Sequence, residues 1–233
     1  MHRRGEYVFL ADQDDVWEPD KLETLLATAK RGPEQISVVF SDLWMIDASG
    51  NRLGSFMQSH GFSGHYDTAD MLRANFAVGC SMLVAADLLN IALPFPSGLE
   101  NHDWWLGLCA LALGQLGFSP EKLVNYRQHA DNAIGARNYR TQWFSLGSII
   151  RRQRRVFESK ITAVDELVRR LQEMGAQPPE ALLAWQEQFS QADQWQKPWK
   201  LLTSEFKPGS RALLLIQLLA VSPLVGGKIK KTL

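Results

Sequence analysis

The spacing of hydrophobic and polar positions divides the chain into two parts. Up to about residue 135, short apolar runs alternate with helical patterns. The runs at 6–11, 36–47 and 76–85 are rich in Val, Phe, Leu and Ile, and they predict strands. The first helix is predicted to begin at Pro19 and to end at Gly32 and Pro33. This alternation is typical of an α/β fold.

Further elements complete this first part. Helical patterns occupy 68–75 and 86–93, and 54–66 reads as a loop. The segment 101–114 is apolar on nearly every face after its first turn, so it predicts a buried helix. Residues 115–129 predict a strand, a turn and a second strand.

Beyond residue 140 the pattern becomes helical. Apolar residues recur three or four positions apart up to Gly175, at Phe157, Ile161, Val164, Val168 and Leu171. Pro178 and Pro179 open a second helix, whose apolar face carries Leu182, Trp185 and Phe189. The sequence therefore predicts an α/β domain at 1–140 and an α-helical region at 141–233.

Composition limits the class of protein. The chain is 45% hydrophobic and 21% charged, which excludes a disordered chain. Cys80 and Cys109 stand in apolar segments without metal-ligand spacing, so we expect core residues in a reducing compartment. No signal peptide is recognisable, and the apolar run at 212–225 would form a helix only about 21 Å long. A cytoplasmic protein is predicted.

Charge is unevenly distributed. Residues 1–140 hold 11 Lys and Arg against 17 Asp and Glu, a net −6, whereas 141–233 hold 14 against 8, a net +6. The basic run 151–155 and four further cations predict peripheral attachment at the inner face of the cell membrane; these cations are Arg211, Lys228, Lys230 and Lys231. Nucleic-acid binding is the weaker interpretation of the same charges.

Three carboxylates, Asp12, Asp14 and Asp15, follow the first strand directly, and their mutual repulsion needs compensation. One interpretation is a loop in which a carboxylate caps the next helix. A calcium loop is excluded, because Val16 and Trp17 stand where a ligand and the turn glycine belong.

Two chemical interpretations of these aspartates remain. The stretch resembles haloacid-dehalogenase phosphohydrolases, with Asp12 as nucleophile and Asp14 as acid, although the later acidic pair of that family is absent. Alternatively, the carboxylates hold Mg²⁺ or Mn²⁺, whose open positions take the oxygens of a nucleotide diphosphate.

Five motifs in order carry a family resemblance: FLADQDDVWEPDKLE, VVFSD, Asn75 with Gly79 and Cys80, NHDWWLGLCALALG, and YRQHADNAIG. The succession is similar to family-2 glycosyltransferases with the GT-A fold, and most similar to their rhamnosyltransferase-like branch. It implies the C-terminal portion of a GT-A, Rossmann-like mixed sheet with flanking helices, followed by a helical appendage.

The resemblance assigns the donor side of a site. Asp14 is expected to coordinate Mn²⁺ or Mg²⁺, with Asp12 directed to the ribose or the metal shell. His129 is expected as a further ligand, and Arg127 as a partner of the diphosphate. Asp15 is expected to cap the following helix.

It also assigns an acceptor side. Asp103 is expected to be the base that takes the proton of the acceptor hydroxyl, and without the other motifs it would read as a carboxylate at a helix N-terminus. Gly79, Cys80, His102 and Trp104 are expected to contact the acceptor, and a core position is the competing interpretation of Trp104.

Together these motifs predict metal-dependent, inverting transfer of a sugar, with rhamnose the first candidate, from a nucleotide-diphosphate donor to a glycan or lipid-linked acceptor of bacterial surface polysaccharide. The family's nucleotide-binding unit precedes its aspartate motif, so we expect a chain that lacks this part. An exposed strand edge beside the aspartates then favours association with another chain. A non-catalytic remnant or interaction module is the alternative function.

Overall fold

A computed structural model describes residues 6–31, 36–62, 66–128, 146–193, 196–204, 206 and 211–222. The chain forms two compact units. The first unit comprises Met1–Asp67, Asn75–Phe95 and Asn101–Gln142. The second comprises Thr68–Ala74, Pro96–Glu100 and Trp143–Leu233.

The first unit is built around one mixed sheet. Its six strands are β1 (Tyr7–Phe9), β2 (Val16–Trp17), β3 (Val38–Ile46), β4 (Arg52–Ser55), β5 (Met82–Ala85) and β6 (Leu116–Arg127). The strand order is β1-β5-β3-β6-β2, and β4 pairs with β3. β3 runs parallel to β6 and antiparallel to β5, while β1 pairs antiparallel with β5. Among the described residues, no strand pairs with the outer edge of β1.

Helices flank this sheet. They are α1 (Lys21–Ala29), α2 (Phe56–His60), α4 (Leu88–Ala92) and α5 (His102–Ala112), and a 3₁₀ turn (Gly79–Ser81) leads into β5. The predicted α/β class is confirmed: a mixed sheet with flanking helices, followed by a helical C-terminal region, is consistent with a GT-A-like fold.

Apolar side chains on both sheet faces form the core. One cluster joins α1 to β3, β5 and β6 through Leu25, Ala29, Val39, Leu83 and Leu123. The α5 indoles are also buried, Trp104 at 1% exposure and Trp105 at 0%, and the Trp105 Nε1 donates to the Ala92 carbonyl at 2.9 Å. Helix α5 is thus the buried helix that its sequence predicts.

The strand, turn and strand predicted for 115–129 is wrong. The structure has one strand, β6, whose register against β3 shifts twice. At the first shift, Ser41 of β3 lies opposite Ser119, but the next residue, Asp42, lies opposite Lys122. Pro120 falls in the two residues left over, where its missing N–H breaks no ladder hydrogen bond.

The loop predicted at 54–66 is also partly wrong. Residues 52–55 form β4, which makes a hairpin with β3, and α2 follows immediately. The buried Asp42 carboxylate holds this corner by accepting the Ser55 hydroxyl at 2.5 Å and the Met57 N–H at 3.1 Å. Its partners come from distant residues, so the sequence spacing carries no signal for them.

The second unit is helical. It contains α3 (Thr68–Arg73), α6 (Leu146–Glu173), α7 (Glu180–Trp185), a π turn (Gln186–Ser190), α8 (Lys197–Thr203) and α9 (Arg211–Val221). The apolar faces predicted for α6 and for α7 with the π turn meet in an aromatic cluster. In this cluster the Trp185 ring centroid lies 5.7 Å from that of Phe157, 4.7 Å from that of Phe189 and 5.3 Å from that of Phe206.

The basic run at the start of α6 is tied to carboxylates of its own unit. Arg154 Nε lies 3.2 Å from Glu158, and Arg155 Nε lies 3.2 Å from Glu100. These exposed pairs contribute little stability, but they occupy two of the cations on which the predicted membrane contact depended. In the described part of the chain, no helix is both long enough and apolar enough to cross a bilayer.

Lys160 of α6 points into the second unit. Its ammonium donates to the Leu72 carbonyl at 2.8 Å, and burial lowers the pKa of Lys160 to about 8. The unfolded chain therefore binds more protons than the folded chain between that pKa and the ordinary value of 10.5. Stability must rise with pH across this window.

We expect Lys160→Met to remove the part of this rise that Lys160 contributes. The wild-type chain should gain about 2 kcal/mol of unfolding free energy relative to Lys160→Met as pH increases from 8 to 10.5, after allowance for residual solvent contact. Urea unfolding followed by tryptophan fluorescence measures the difference. Lys30→Met, which removes an exposed lysine, should keep the wild-type slope. Parallel pH curves for wild type and Lys160→Met would contradict this account.

Candidate active site

The aspartates after β1 converge with a residue from a distant turn. One carboxylate oxygen each of Asp12 and Asp15 and the sulfur of Cys80 all lie within 4.8 Å of one another. Asp12 is exposed, Asp15 is half-buried and Cys80 is 1% exposed, so the cluster runs from the surface into the protein. We call these three residues the aspartate–cysteine cluster.

Asp15 forms the inner part of this cluster. Its Oδ1 accepts the backbone N–H of Arg127 at 2.9 Å, and its Oδ2 is buried without a hydrogen bond in the described structure. Burial raises the pKa of Asp15, and the charges of Asp12 and Asp14 raise it further, while the Arg127 N–H and the Cys80 thiol lower it. Burial likewise raises the pKa of Cys80.

The prediction that Asp15 caps the following helix is wrong. Helix α1 begins at Lys21, its N-cap residue is Asp20, and no side chain caps it. Asp15 instead accepts the backbone N–H of Arg127 at the end of β6. The pairing of β2 with β6 brings the two residues together.

Arg127 holds the aspartate turn in place. Its Nε donates to the Asp14 carbonyl at 3.1 Å, and its Nη1 donates to the carbonyls of Asp47 and Ala48 at 3.2 and 3.0 Å. The guanidinium thus ties the turn to the β3–β4 hairpin. These contacts give Arg127 a positioning role beside the expected diphosphate.

A buried lysine that sequence reasoning missed compensates the cluster. Lys21 is 0% exposed; its ammonium donates to the Cys80 carbonyl at 2.6 Å and lies 3.3 Å from the centroid of the Trp17 ring. Burial lowers the pKa of Lys21 to about 8, and the negative charges of Asp15 and Asp12 oppose that shift.

One signal in the sequence could have revealed this residue. A cation in the first turn of a helix is unfavourable to the helix dipole, and Lys21 begins α1. A lysine at this unfavourable position, six residues after Asp15, therefore indicates that its positive charge compensates the nearby aspartates.

The 3₁₀ turn connects this cluster to Asp103. The N–H of Gly79 donates to Asp103 Oδ2 at 3.2 Å, while the adjacent Cys80 faces Asp12 and Asp15. Asp103 Oδ1 accepts the N–H of Trp104 at 2.8 Å. Gly79, which binds the Asp103 carboxylate, is therefore one residue step, about 3.8 Å between Cα atoms, from Cys80, which lines the cluster.

Gly79 leaves little space at this junction. A Cβ built on it would lie 3.3 Å from the Asp103 Cβ, 3.7 Å from the His102 Nε2 and 3.7 Å from the Leu10 Cδ1. The side chains of His102, Asp103 and Leu10, the residue after β1, thus all lie close to Gly79. His102 is exposed and Asp103 is half-buried, so both stand near solvent.

Three other expected site residues have different outcomes. Trp104 is buried, so the expected acceptor contact through its indole is wrong for this structure: the helix needs that apolar surface for packing against the sheet. Cys80 faces the aspartates and is buried from solvent. His129 lies outside the described residues, and its metal and diphosphate roles stay predictions.

The donor atoms partly fit a divalent ion. Ligands 2.0 to 2.3 Å from one ion lie at most about 4.6 Å apart, close to the spacing in the cluster. Two carboxylates suit Mg²⁺ or Mn²⁺, whereas a buried thiol with a raised pKa is a poor partner for either. Asp14 is not in this three-residue group, although its charge acts on Asp15. The two carboxylates therefore fit the ion that the sequence predicts, whereas the Cys80 thiol is not a suitable ligand for it.

We expect Lys21→Met to destabilise the first unit by about 3 kcal/mol, because it removes the hydrogen bond to the Cys80 carbonyl and a buried positive charge on which Asp15 and Asp12 act. Adding Asp15→Asn should recover part of the loss, since the amide removes the charge and keeps an acceptor for the Arg127 N–H. Urea unfolding measures this double-mutant cycle.

Leu22→Ala, at an exposed neighbouring position, serves as the control and should have little effect. If the double variant loses as much unfolding free energy as Lys21→Met alone, or loses the sum of the two single-variant losses, the two side chains are not coupled.

Two comparisons bear on this site. Among curated proteins, none matches the chain at a significant level. Residues 1–90 match the model of glycosyl transferase family 2, a segment that contains the aspartate turn, Lys21 and the 3₁₀ turn. This match supports a family-2 glycosyltransferase and, with it, sugar transfer from a nucleotide-sugar donor to an acceptor.

Proposed function

We propose that the chain transfers a sugar, with rhamnose the first candidate, from a nucleotide diphosphate to a hydroxyl of a glycan or lipid-linked acceptor, with inversion at the anomeric carbon. The observation that carries this proposal is the 3₁₀ turn: Gly79 binds the Asp103 carboxylate, and Cys80 lines the aspartate cluster. A base and a diphosphate site on the two sides of one turn are what an inverting transfer requires.

Asp103 is the proposed base. As the acceptor oxygen attacks the anomeric carbon, its proton passes to a carboxylate oxygen of Asp103. The Gly79 N–H and the Trp104 N–H, at 3.2 and 2.8 Å, fix the orientation of that carboxylate before the reaction. Because two backbone donors hold the Asp103 carboxylate, its orientation is set before an acceptor binds.

Asp12 and Asp14 are proposed to hold the donor end. Asp12 is exposed, and Arg127 fixes the backbone of Asp14 through its carbonyl. Bound between them and the diphosphate, Mg²⁺ or Mn²⁺ would neutralise charge on the departing phosphate, with His129 as the proposed third ligand. Lys21 places a positive charge beneath this site, on which Asp15 and Asp12 act, and the exposed Asp12 carboxylate remains available to the donor.

Binding tests the donor half. We expect isothermal titration to show Mn²⁺-dependent binding of at least one nucleoside diphosphate to the full chain. Asp14→Ala should weaken binding at least about tenfold, because one carboxylate is removed from the ion. Asp20→Ala removes an exposed aspartate outside the cluster and should bind as the wild type does.

Two results count against this half of the proposal. Equal losses from Asp14→Ala and Asp20→Ala would indicate a general charge effect. No binding by the wild type to any nucleoside diphosphate would favour the non-catalytic interaction module.

Turnover tests the acceptor half. Release of nucleoside diphosphate from a panel of nucleotide sugars, with and without glycan acceptors, should fall by about 10² to 10⁴-fold in Asp103→Asn. Nucleotide binding should not change, since the amide oxygen still accepts the Gly79 N–H. His102→Asn, at the exposed neighbouring position, should retain more activity than Asp103→Asn. Wild-type turnover by Asp103→Asn would remove Asp103 from the mechanism.

A further inference from the structure

A small cavity lies within the helical second unit. Its volume is about 10 Å³, and the residues that line it come from α3, α6, α7, α8 and α9, together with Phe206. All of them belong to the second unit. A cavity of this size holds one water molecule or one ion of similar size, and it is too small for a phosphate, a sugar or a nucleotide. We call it the α6–α7 cavity.

Trp185 of α7 brings a polar group without a partner to this cavity. The residue lines the cavity and is 2% exposed, and its indole N–H has no hydrogen-bond acceptor among the described residues. The neighbouring rings of Phe157, Phe189 and Phe206 carry no oxygen or nitrogen. A buried N–H without an acceptor is unfavourable, so we expect its acceptor to lie in the adjoining cavity.

The charged side chains at the cavity are positive. Lys160 of α6 and Leu72 of α3 both line it, and the Lys160 ammonium donates to the Leu72 carbonyl at 2.8 Å. Arg73 also lines it and forms an ion pair with Asp70. Among the described lining residues there is no aspartate or glutamate. The walls therefore present positive charge and N–H donors to whatever binds between them.

This set of groups favours an anion over a water molecule. A water molecule must donate its own hydrogens, and among the described lining side chains only the Gln217 amide carries an acceptor oxygen. An anion only accepts hydrogen bonds, and it also offsets the charge of a lysine that is partly removed from solvent. The volume then restricts the anion to a single atom.

We propose that the α6–α7 cavity binds one halide ion, such as chloride, which accepts the Trp185 N–H and lies beside the Lys160 ammonium. The bound ion stabilises the second unit, because it joins α6 to α7 through a buried charge and satisfies the indole. The inference does not depend on sugar transfer.

Urea unfolding of the full chain, followed by circular dichroism near neutral pH, tests the proposal. Chloride is exchanged for gluconate, a large organic anion, at constant ionic strength. We expect chloride to raise the folding equilibrium constant of the wild type by about tenfold when its concentration is about ten times its dissociation constant. Trp185→Phe and Lys160→Met should each lose most of this dependence, whatever their own stability.

A matched control uses an exposed tryptophan of the same unit. Trp199 is 69% exposed and does not line the cavity. Trp199→Phe should therefore keep the full response to chloride. A response that is equal in Trp185→Phe and Trp199→Phe would be a general salt effect and would overturn the proposal, as would a wild type that unfolds identically in chloride and gluconate.

The response should also depend on pH. Burial lowers the pKa of Lys160 to about 8, so chloride affinity should fall as pH increases through this value. Arginine remains protonated throughout this range, so among the described lining residues Lys160 is the group that titrates. Conversely, bound chloride favours the charged lysine and raises its pKa, so the gain in stability between pH 8 and 10.5 should be smaller in chloride than in gluconate. Equal gains in the two salts would contradict the proposed contact with Lys160.

Bromide locates the ion directly. A crystal of the wild-type chain soaked in bromide should show an anomalous scattering peak within hydrogen-bond distance of the Trp185 Nε1 and near the Lys160 Nζ. A water molecule there, without anomalous signal, would overturn the proposal. This measurement uses the unaltered chain, so it decides the question even if Trp185→Phe does not fold.

These outcomes are separable from the proposed function. Asp14→Ala should keep the chloride response, and Trp199→Phe and Lys160→Met should bind nucleoside diphosphate as the wild type does, because the changed residues belong to different units.

Discussion

A single buried cation, the Lys21 ammonium, is the interaction on which the candidate site depends. It has no contact with water, donates to the Cys80 carbonyl and lies over the Trp17 ring. A buried ammonium is unfavourable unless negative groups compensate it, and a half-buried carboxylate such as Asp15 has the complementary need. The charge of Asp15 acts favourably on Lys21, and the contacts of the lysine join β2, α1 and the 3₁₀ turn.

The surroundings of the aspartates separate them into two kinds. Asp15 is bound to the backbone of β6 and is compensated from within the protein, whereas Asp12 faces solvent. Repulsion between the carboxylates is thereby reduced, while the oxygens of the exposed Asp12 carboxylate stay open to a ligand. The proposed divalent ion would add positive charge at the surface to the charge that Lys21 supplies from within the protein.

The 3₁₀ turn also connects Lys21 to Asp103, on the proposed acceptor side. Lys21 holds the Cys80 carbonyl, Cys80 follows Gly79, and the Gly79 N–H holds Asp103. The proposed base and the proposed donor site are thus linked through backbone groups, which have fewer degrees of freedom than side chains. Arg127 does the same for the other side of the aspartate turn by binding three carbonyl oxygens. A site assembled in this way is rigid at its backbone and open at its carboxylates, which suits a ligand that arrives with its own cation.

The sequence by itself determined what depends on local spacing. The apolar runs fixed β1, β3 and β5, the three- and four-residue spacing fixed the buried faces of α6 and α7, and the order of motifs indicated the glycosyltransferase family. What only the tertiary structure decided are the partners of polar groups far apart in the chain. Asp15 binds Arg127 instead of capping α1, Trp104 enters the core instead of offering a face to sugar, and residues 116–127 run as one strand through a bulge at Pro120. The physical reason is that a side chain's burial and hydrogen-bond partner depend on which elements meet around it, and local spacing carries no record of that meeting.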